Sequence, residues 1–229
     1  GFALAIGGDG AFLKAARLAA PHGVPILGVN VGRLGFLTAV EPSSVDEAID
    51  RVLRGEYELE ERLMLQAVLV RGGKPLRTYF GLNDAVVTRG VFARLVELEA
   101  YVGEELVGSF VGDGIIVATP TGSTAYSLSA GGPILHPELQ ALVLTPICPH
   151  TIGARTLVTL PGETVRIRLA HPTTHSKDAM LTVDGQAGEA LLPGDEVQVA
   201  RAPMRARLLR LEGRSFYTLM QARLGQGNG

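Results

Sequence analysis

The sequence predicts a chain in two parts, an N-terminal α/β segment followed by a larger antiparallel β domain of sandwich type. Three observations carry this. An apolar strand, a glycine loop and an alanine-rich helix succeed one another in the first 20 residues. From about Leu59, short β-rich segments recur at hairpin spacing. A helical period then returns only in the tail, at Phe216, Leu219, Met220 and Arg223. The expected division is residues 1–60 for the α/β part, joined by a C-terminal helix over 213–229, and 61–212 for the β part.

Residues 2–6 read as a strand buried in a parallel sheet, Gly7-Gly8-Asp9-Gly10 as a loop, and residues 11–20 as a helix with Phe12, Ala15, Ala16 and Ala19 on one face. Pro21-His22-Gly23 ends that helix. Residues 24–31 supply a second strand, which the right-handed crossover rule sets parallel to the first. The unit is Rossmann-like, and because the chain opens inside it, an upstream strand and helix are expected to be missing. Residues 43–47 resemble a capping box and open a second helix, which Gly55 stops. In the β part, strands are expected at 63–71, 76–80, 85–88, 93–102, 106–110, 156–160, 164–169, 180–183 and 196–200. The tail helix is expected to pack back on the first part.

Composition narrows the function classes. A formal charge of −2 gives no global basic field for phosphate neutralisation, so no nucleic-acid partner is expected. No apolar run approaches the roughly 20 residues of a membrane helix, and no membrane partner is expected. The single cysteine, Cys148, excludes an intrachain disulfide and suits a reducing, cytoplasmic compartment. His171 and His175 flank Pro172, which prevents the helix that would align them on one metal. Glycine is the outlier: 29 of 229 residues is about 13%, against a usual level of roughly 7%. Residues 1–35 hold eight and residues 103–132 hold seven, a clustering that marks loops.

The first cluster places Gly7, Gly8 and Gly10 between a strand and a helix, where backbone N–H groups and the helix dipole receive phosphate. It has neither the Gly-Lys-Ser/Thr of a Walker loop nor the glycine spacing of a dinucleotide fingerprint. Asp9 within it is either a helix N-cap or a group that holds Mg²⁺ or takes a proton from a hydroxyl. Lys14 and Arg33 are candidate phosphate partners. The second cluster runs from Gly112-Asp113-Gly114 through an apolar segment to Thr119-Pro120-Thr121-Gly122-Ser123-Thr124-Ala125-Tyr126-Ser127, small hydroxyl residues between glycines that let a ligand approach the backbone. Asn83-Asp84 reads as a turn or as a pair suited to gripping a ribose diol or an adenine edge. Asp184-Gly185 reads as a type I′ hairpin turn.

Together these residues resemble the NAD kinase family. The resemblance rests on Gly7-Gly8-Asp9-Gly10, on residues 30–37 including Phe36, on Leu82-Asn83-Asp84, on residues 113–127, on Thr145-Pro146-Ile147-Cys148-Pro149-His150 and on Val183-Asp184-Gly185-Gln186. It implies a fold like that of NAD kinases and diacylglycerol kinases. It also implies transfer of the γ-phosphate of ATP, or of polyphosphate in some members, to the 2′-hydroxyl of the adenosine ribose of NAD, giving NADP. Asp9 is then the general base or a metal-associated group. Asn83, Asp84, Asp113, Ser123, Thr124, Ala125 and Tyr126 line the NAD site, with Asp184 and Phe36 as further candidates. Mg²⁺ accompanies ATP, there is no tightly bound prosthetic group, and the assembly is a homodimer or homotetramer. The two glycine clusters would then be the phosphate and nucleoside halves of one interdomain site. Ala11 stands where the family often has threonine, which removes one phosphate-binding hydroxyl. Two alternatives stand beside this reading: another Gly-Gly-Asp-Gly kinase acting on a lipid or sugar hydroxyl, and a non-catalytic NAD(P)-binding regulator.

Overall fold

The computed structural model describes residues 1–32, 35–38, 40–90, 95–151, 153–170, 179–211 and 215–224. Arg33, His171 and His175 lie outside the described residues. The chain forms two units, residues 1–62 with 204–229, and residues 63–203.

In the first unit, β1 (Ala3–Gly7) leads through α1 (Asp9–Ala19) to β2 (Ile26–Asn30), and the two strands pair in parallel from Ala3 with Ile26 to Gly7 with Asn30. Alanine-rich composition favours α1, and its buried positions, Phe12, Leu13, Ala16 and Ala19, follow the helical period. A 3-10 turn over Ala20–His22 with Gly23 at φ +63 closes the helix. β2 is buried throughout. In β1, by contrast, only Ala5 is buried, while Leu4 and Ile6 are exposed at 41% and 63%. The expectation of a fully buried first strand is corrected accordingly: among the described residues β1 pairs with β2 alone, and half of its apolar set faces outward. After α2 (Val45–Leu53), a small core gathers Leu27, Val29, Val40, Ala48, Val52 and Leu209.

The second unit is a sandwich. One sheet runs in the order β10 (Leu157–Val158), β9 (Val143–Ile147), β8 (Gly114–Ala118), β5 (Asp84–Arg89), β12 (Ala179–Val183) and β13 (Ala187–Leu191), antiparallel throughout. Opposite it, β14 (Glu196–Arg210), β11 (Val165–Leu169), β6 (Val96–Val102) and β7 (Glu105–Gly112) pair antiparallel, and β3 (Glu58–Arg71) forms a hairpin with β4 (Lys74–Gly81). Both sheets contribute to one core, represented by Leu65, Val87, Leu98, Ile115, Leu144, Ile167, Leu181 and Val197. Full burial of each such side chain contributes about 1.5–3 kcal/mol relative to exposure. β8 is buried on both faces: Ile115 and Val117 face this core, and Ile116 and Ala118 face a second cluster with Val86, Leu135 and Val143. A covering loop ahead of β9, with the short α3 (Tyr126–Ser129), therefore lies on the outer face of the sheet.

Three features depart from the sequence reading. β9 carries Pro146, a residue that argues against a central strand, and β13 is Ala-Gly-Glu-Ala-Leu, with little β propensity; neither was predicted. β14 runs on past the expected residue 200 to Arg210, and its end pairs in parallel with β2 at Leu208 and Ile26. Residues 204–212, expected in the β domain, thus belong to the first unit. A last helix, α4, spans Phe216–Leu224.

Candidate active site

Asp9 is the first residue of α1, and Gly8, not Asp9, occupies the N-cap position. The capping alternative is thereby excluded. The Asp9 carboxylate instead reaches across to the segment after β2, accepting the N–H of Phe36 at Oδ2 (3.1 Å) and of Leu37 at Oδ1 (3.2 Å). Gly35 makes this possible, because any Cβ there would occupy the space of the carboxylate. The same segment is gripped from its carbonyl side by Arg210, which donates to Phe36 (3.3 Å) and Leu37 (3.5 Å) and is itself held by Glu60 at 2.7 Å. Burial raises the Glu60 carboxyl, but the charges and hydrogen bonds of Arg62 and Arg210 outweigh it and hold the group below the usual carboxylate range. Asp9 and Phe36 are therefore brought together beside Gly7, Gly8 and Gly10. Lys14 is not: it is exposed and, five residues on, lies about 140° around the helix from Asp9.

The second set sits where three loops converge. Asp84 opposes Ala118 across β5 and β8, and Val183 opposes Ala85 across β12 and β5, so the chain ends at 82–84, 119–126 and 184–186 share one edge. The backbone of residues 82–84 is fully engaged. Its three N–H groups donate to the Asp184 carboxylate, from Leu82 (3.1 Å), Asn83 (2.8 Å) and Asp84 (3.3 Å). Its carbonyls accept from the Thr119 hydroxyl (to Leu82, 2.6 Å), from the Thr119 N–H (to Asn83, 2.8 Å) and from the Asp184 N–H (to Asp84, 3.0 Å). Gly122 packs so closely on the Asn83 backbone that a Cβ would collide with it. With the backbone accounted for, the side chains of Asn83 and Asp84 are what this edge presents. Asn83 Oδ1 is buried with no hydrogen-bond partner among the described residues, an exception among buried polar atoms, which are nearly always paired. Burial, and then the negative charge of Asp184, push the Asp84 carboxyl up to about 7.

The hydroxyl loop divides. Ser123 is fully buried, donating to the Pro120 carbonyl (2.6 Å) and accepting the Leu135 N–H (3.0 Å), so it fastens the loop. Thr124, whose hydroxyl donates to the Thr121 carbonyl at 3.1 Å, and Ala125 are half-buried. Tyr126 is 45% exposed. Its phenol is raised by partial burial and by the charges of Asp113, Cys148 and Asp84, which places all three within electrostatic reach of one ring. Asp113 stands at the opposite end of β8 from Ala118, five residues away at about 3.4 Å each. It pairs with Arg89 at 2.8 Å and joins the set through Tyr126. Sequence reasoning places Thr119 among the hydroxyls of a ligand-facing loop, whereas in the structure its hydroxyl is spent on the Leu82 carbonyl; it gives Gly35 and Arg210 no part in the site, and Asp184 is read first as a turn. It is indeed at a turn, with φ +50, but its side chain does more than close it. Among the described residues no group of three His, Cys, Asp or Glu could hold a metal ion, and no helix is long and apolar enough to cross a membrane.

Comparison with known proteins gives a consistent result. Residues 1–57 match the ATP-NAD kinase N-terminal domain and residues 82–211 the ATP-NAD kinase C-terminal domain. The chain is 51% identical over 222 residues to the NAD kinase of Heliobacterium modesticaldum, covering 97% of this chain and 77% of that protein. It is 50% identical over 225 residues to the NAD kinase of Moorella thermoacetica, covering 98% and 71%. Among solved structures, yeast NADH kinase complexed with NADH superimposes with a TM-score of 0.90 at 27% identity, over 99% of this chain and 67% of that one. An NAD kinase from Archaeoglobus fulgidus in complex with ATP gives 0.79 at 26% identity, over 97% and 82%. With both domain models matched in order across most of its length, the chain belongs to the NAD kinase family.

Proposed function

We propose that this protein phosphorylates the 2′-hydroxyl of the adenosine ribose of NAD with ATP as donor, and that Asn83 and Asp84 hold the ribose or adenine edge while Asp9 serves the transferring phosphate. The orphaned Asn83 Oδ1 is the observation that supports the nucleoside half, since a buried acceptor without a partner costs about 1–3 kcal/mol until a ligand satisfies it. Thr124, Ala125, Tyr126 and Asp113 extend that half, and Ser123 shapes its loop. Phosphates of the donor lie over Gly7, Gly8 and Gly10 at the N-terminus of α1, where the helix dipole favours them. Arg33 is a further candidate for this contact, and Lys14, on another face of α1 from Asp9, would reach phosphate only from the side.

A divalent cation such as Mg²⁺ would neutralise the donor phosphates. The chain fits this as far as a lone carboxylate allows: Asp9 is the one acidic group of the Gly7–Gly10 loop, which suits a cation that keeps most of its ligands from phosphate and water. Asp9, held by the N–H groups of Phe36 and Leu37, either associates with that cation or accepts the proton of the 2′-hydroxyl. Positioning and charge neutralisation supply most of the rate in a loose phosphoryl-transfer transition state. Polyphosphate is a second donor on this reading. The protein works in the cytoplasm as a homodimer or homotetramer.

The test is a coupled assay with NAD, ATP or polyphosphate, and Mg²⁺, in which NADP formation is followed by an NADP-specific dehydrogenase. ATP-dependent NADP with the new phosphate on the 2′-oxygen is the expected product. Tight NAD binding without turnover would instead make the protein a regulator, and phosphorylation of a lipid or sugar hydroxyl in place of NAD would move it to another kinase class.

A further inference from the structure

We infer that Asp184 is a positioning residue for NAD recognition, holding Asn83 and Asp84 in the one geometry in which their side chains present a paired acceptor set. The inference rests on the assignment of Asn83 and Asp84 to NAD and adds to it a residue that need not touch the ligand.

Asp184 is 7% exposed and sits on the turn between β12 and β13 at φ +50, a backbone region that asparagine, aspartate and glycine tolerate best. Its two carboxylate oxygens accept three consecutive N–H groups, from Leu82, Asn83 and Asp84, while its own N–H donates to the Asp84 carbonyl. No neutral side chain reproduces this. An asparagine in the same place offers one oxygen and turns an NH₂ toward donors, and an alanine leaves three buried N–H groups unanswered. On the other side of the segment, Thr119 takes the carbonyls of Leu82 and Asn83. The Asn83–Asp84 pair is thus clamped from both sides, and Gly81 keeps the clamp close: a Cβ there would stand 2.7 Å from Val183 Cγ1 and 3.0 Å from Asp184 Oδ1.

The charge of Asp184 has a second effect. It adds to burial in raising the Asp84 carboxyl to about 7. Among the described residues the other titratable group coupled to Asp84 is Tyr126, whose phenol also interacts with Asp113, paired with Arg89 at the far end of β8, and with Cys148. If Asp84 accepts hydrogen bonds from the ribose in its ionised form, NAD recognition improves as pH rises through this range.

The experiment measures KM for NAD and kcat from pH 5.5 to 8.5 in the wild type, Asp184→Asn and Asp184→Glu, with folding checked by circular dichroism. Asp184→Asn is expected to raise KM about 10-fold or more with kcat within about threefold, the pattern of lost ligand positioning. Its acid limb in kcat/KM should also move to lower pH, because a like charge beside Asp84 is gone. Asp184→Glu keeps the charge and misplaces it, so KM should rise while the limb stays. Folded variants with wild-type KM overturn the inference, as does failure of both variants to fold, which would make Asp184 a structural anchor only. A wild type that binds or turns over no NAD would instead overturn the functional assignment on which it rests.

Discussion

Asp84 carries an experimentally separable signature. Its carboxyl titrates near 3.8 in an unfolded chain and at about 7 in the fold, so the native state binds the proton more tightly. The stabilisation from this group is full below about pH 4 and is lost as pH rises through about 7. Asp84→Asn mimics the protonated form. Urea midpoints of variant and wild type should agree at pH 4, and the variant should be the more stable at pH 8; a pH-independent difference would contradict the buried, charge-coupled placement. Gly35 offers a second residue-scale test. Gly35→Ala puts a methyl group where the Asp9 carboxylate lies, so activity should fall by about 10-fold or more with the secondary structure retained. Activity at the wild-type level would show that the Asp9 contact with Phe36 and Leu37 is dispensable.

At the scale of elements, the glycine clusters acquire a different explanation from the one the sequence suggested. Gly122 lies in the loop that the sequence offers to a ligand and Gly35 only in a cluster that marks loops; in the structure each admits another part of the chain, the Asp9 carboxylate at Gly35 and the Asn83 backbone at Gly122. Loops were legible in the glycine count, but what fills the space beside a glycine depends on contacts 26 and 39 residues away in sequence, which no local pattern carries. The same limit applies to Asp184, whose hydrogen bonds reach residues a hundred positions earlier. The β1-α1-β2 unit was legible because periodicity and turn residues are local signals. The end of β14 was not, because Pro203 and the arginines between 201 and 210 disguise a strand that pairs with β2. That strand end supplies Arg210. Arg210→Met would leave Glu60 with Arg62 alone and free the carbonyls of Phe36 and Leu37. A destabilisation of about 1–3 kcal/mol in urea unfolding is expected, with a drop in kcat exceeding any change in KM for NAD. The reverse split, KM rising with kcat constant, would place the segment in NAD binding instead.

On the scale of the whole molecule, the family pattern was legible because its motifs are strung in order along most of the chain, and the domain models match the same stretches. In the proposed function, nucleoside recognition falls to residues of 63–203 and phosphate handling to residues around Asp9. Saturation with NAD at about 100 times its Kd should therefore stabilise the fold by about 2.7 kcal/mol, and by the same amount in Asp9→Asn. Loss of that stabilisation in the variant would mean that Asp9 contributes to NAD binding itself.

The division of labour is tested most directly by one measurement, the ATP- and Mg²⁺-dependent rate of NADP formation by Asp9→Asn under saturating NAD, beside the wild type. A fall of at least about 10²-fold is predicted, with the affinity for NAD unchanged. Turnover near the wild-type rate would contradict the assignment of Asp9 to the phosphoryl-transfer step.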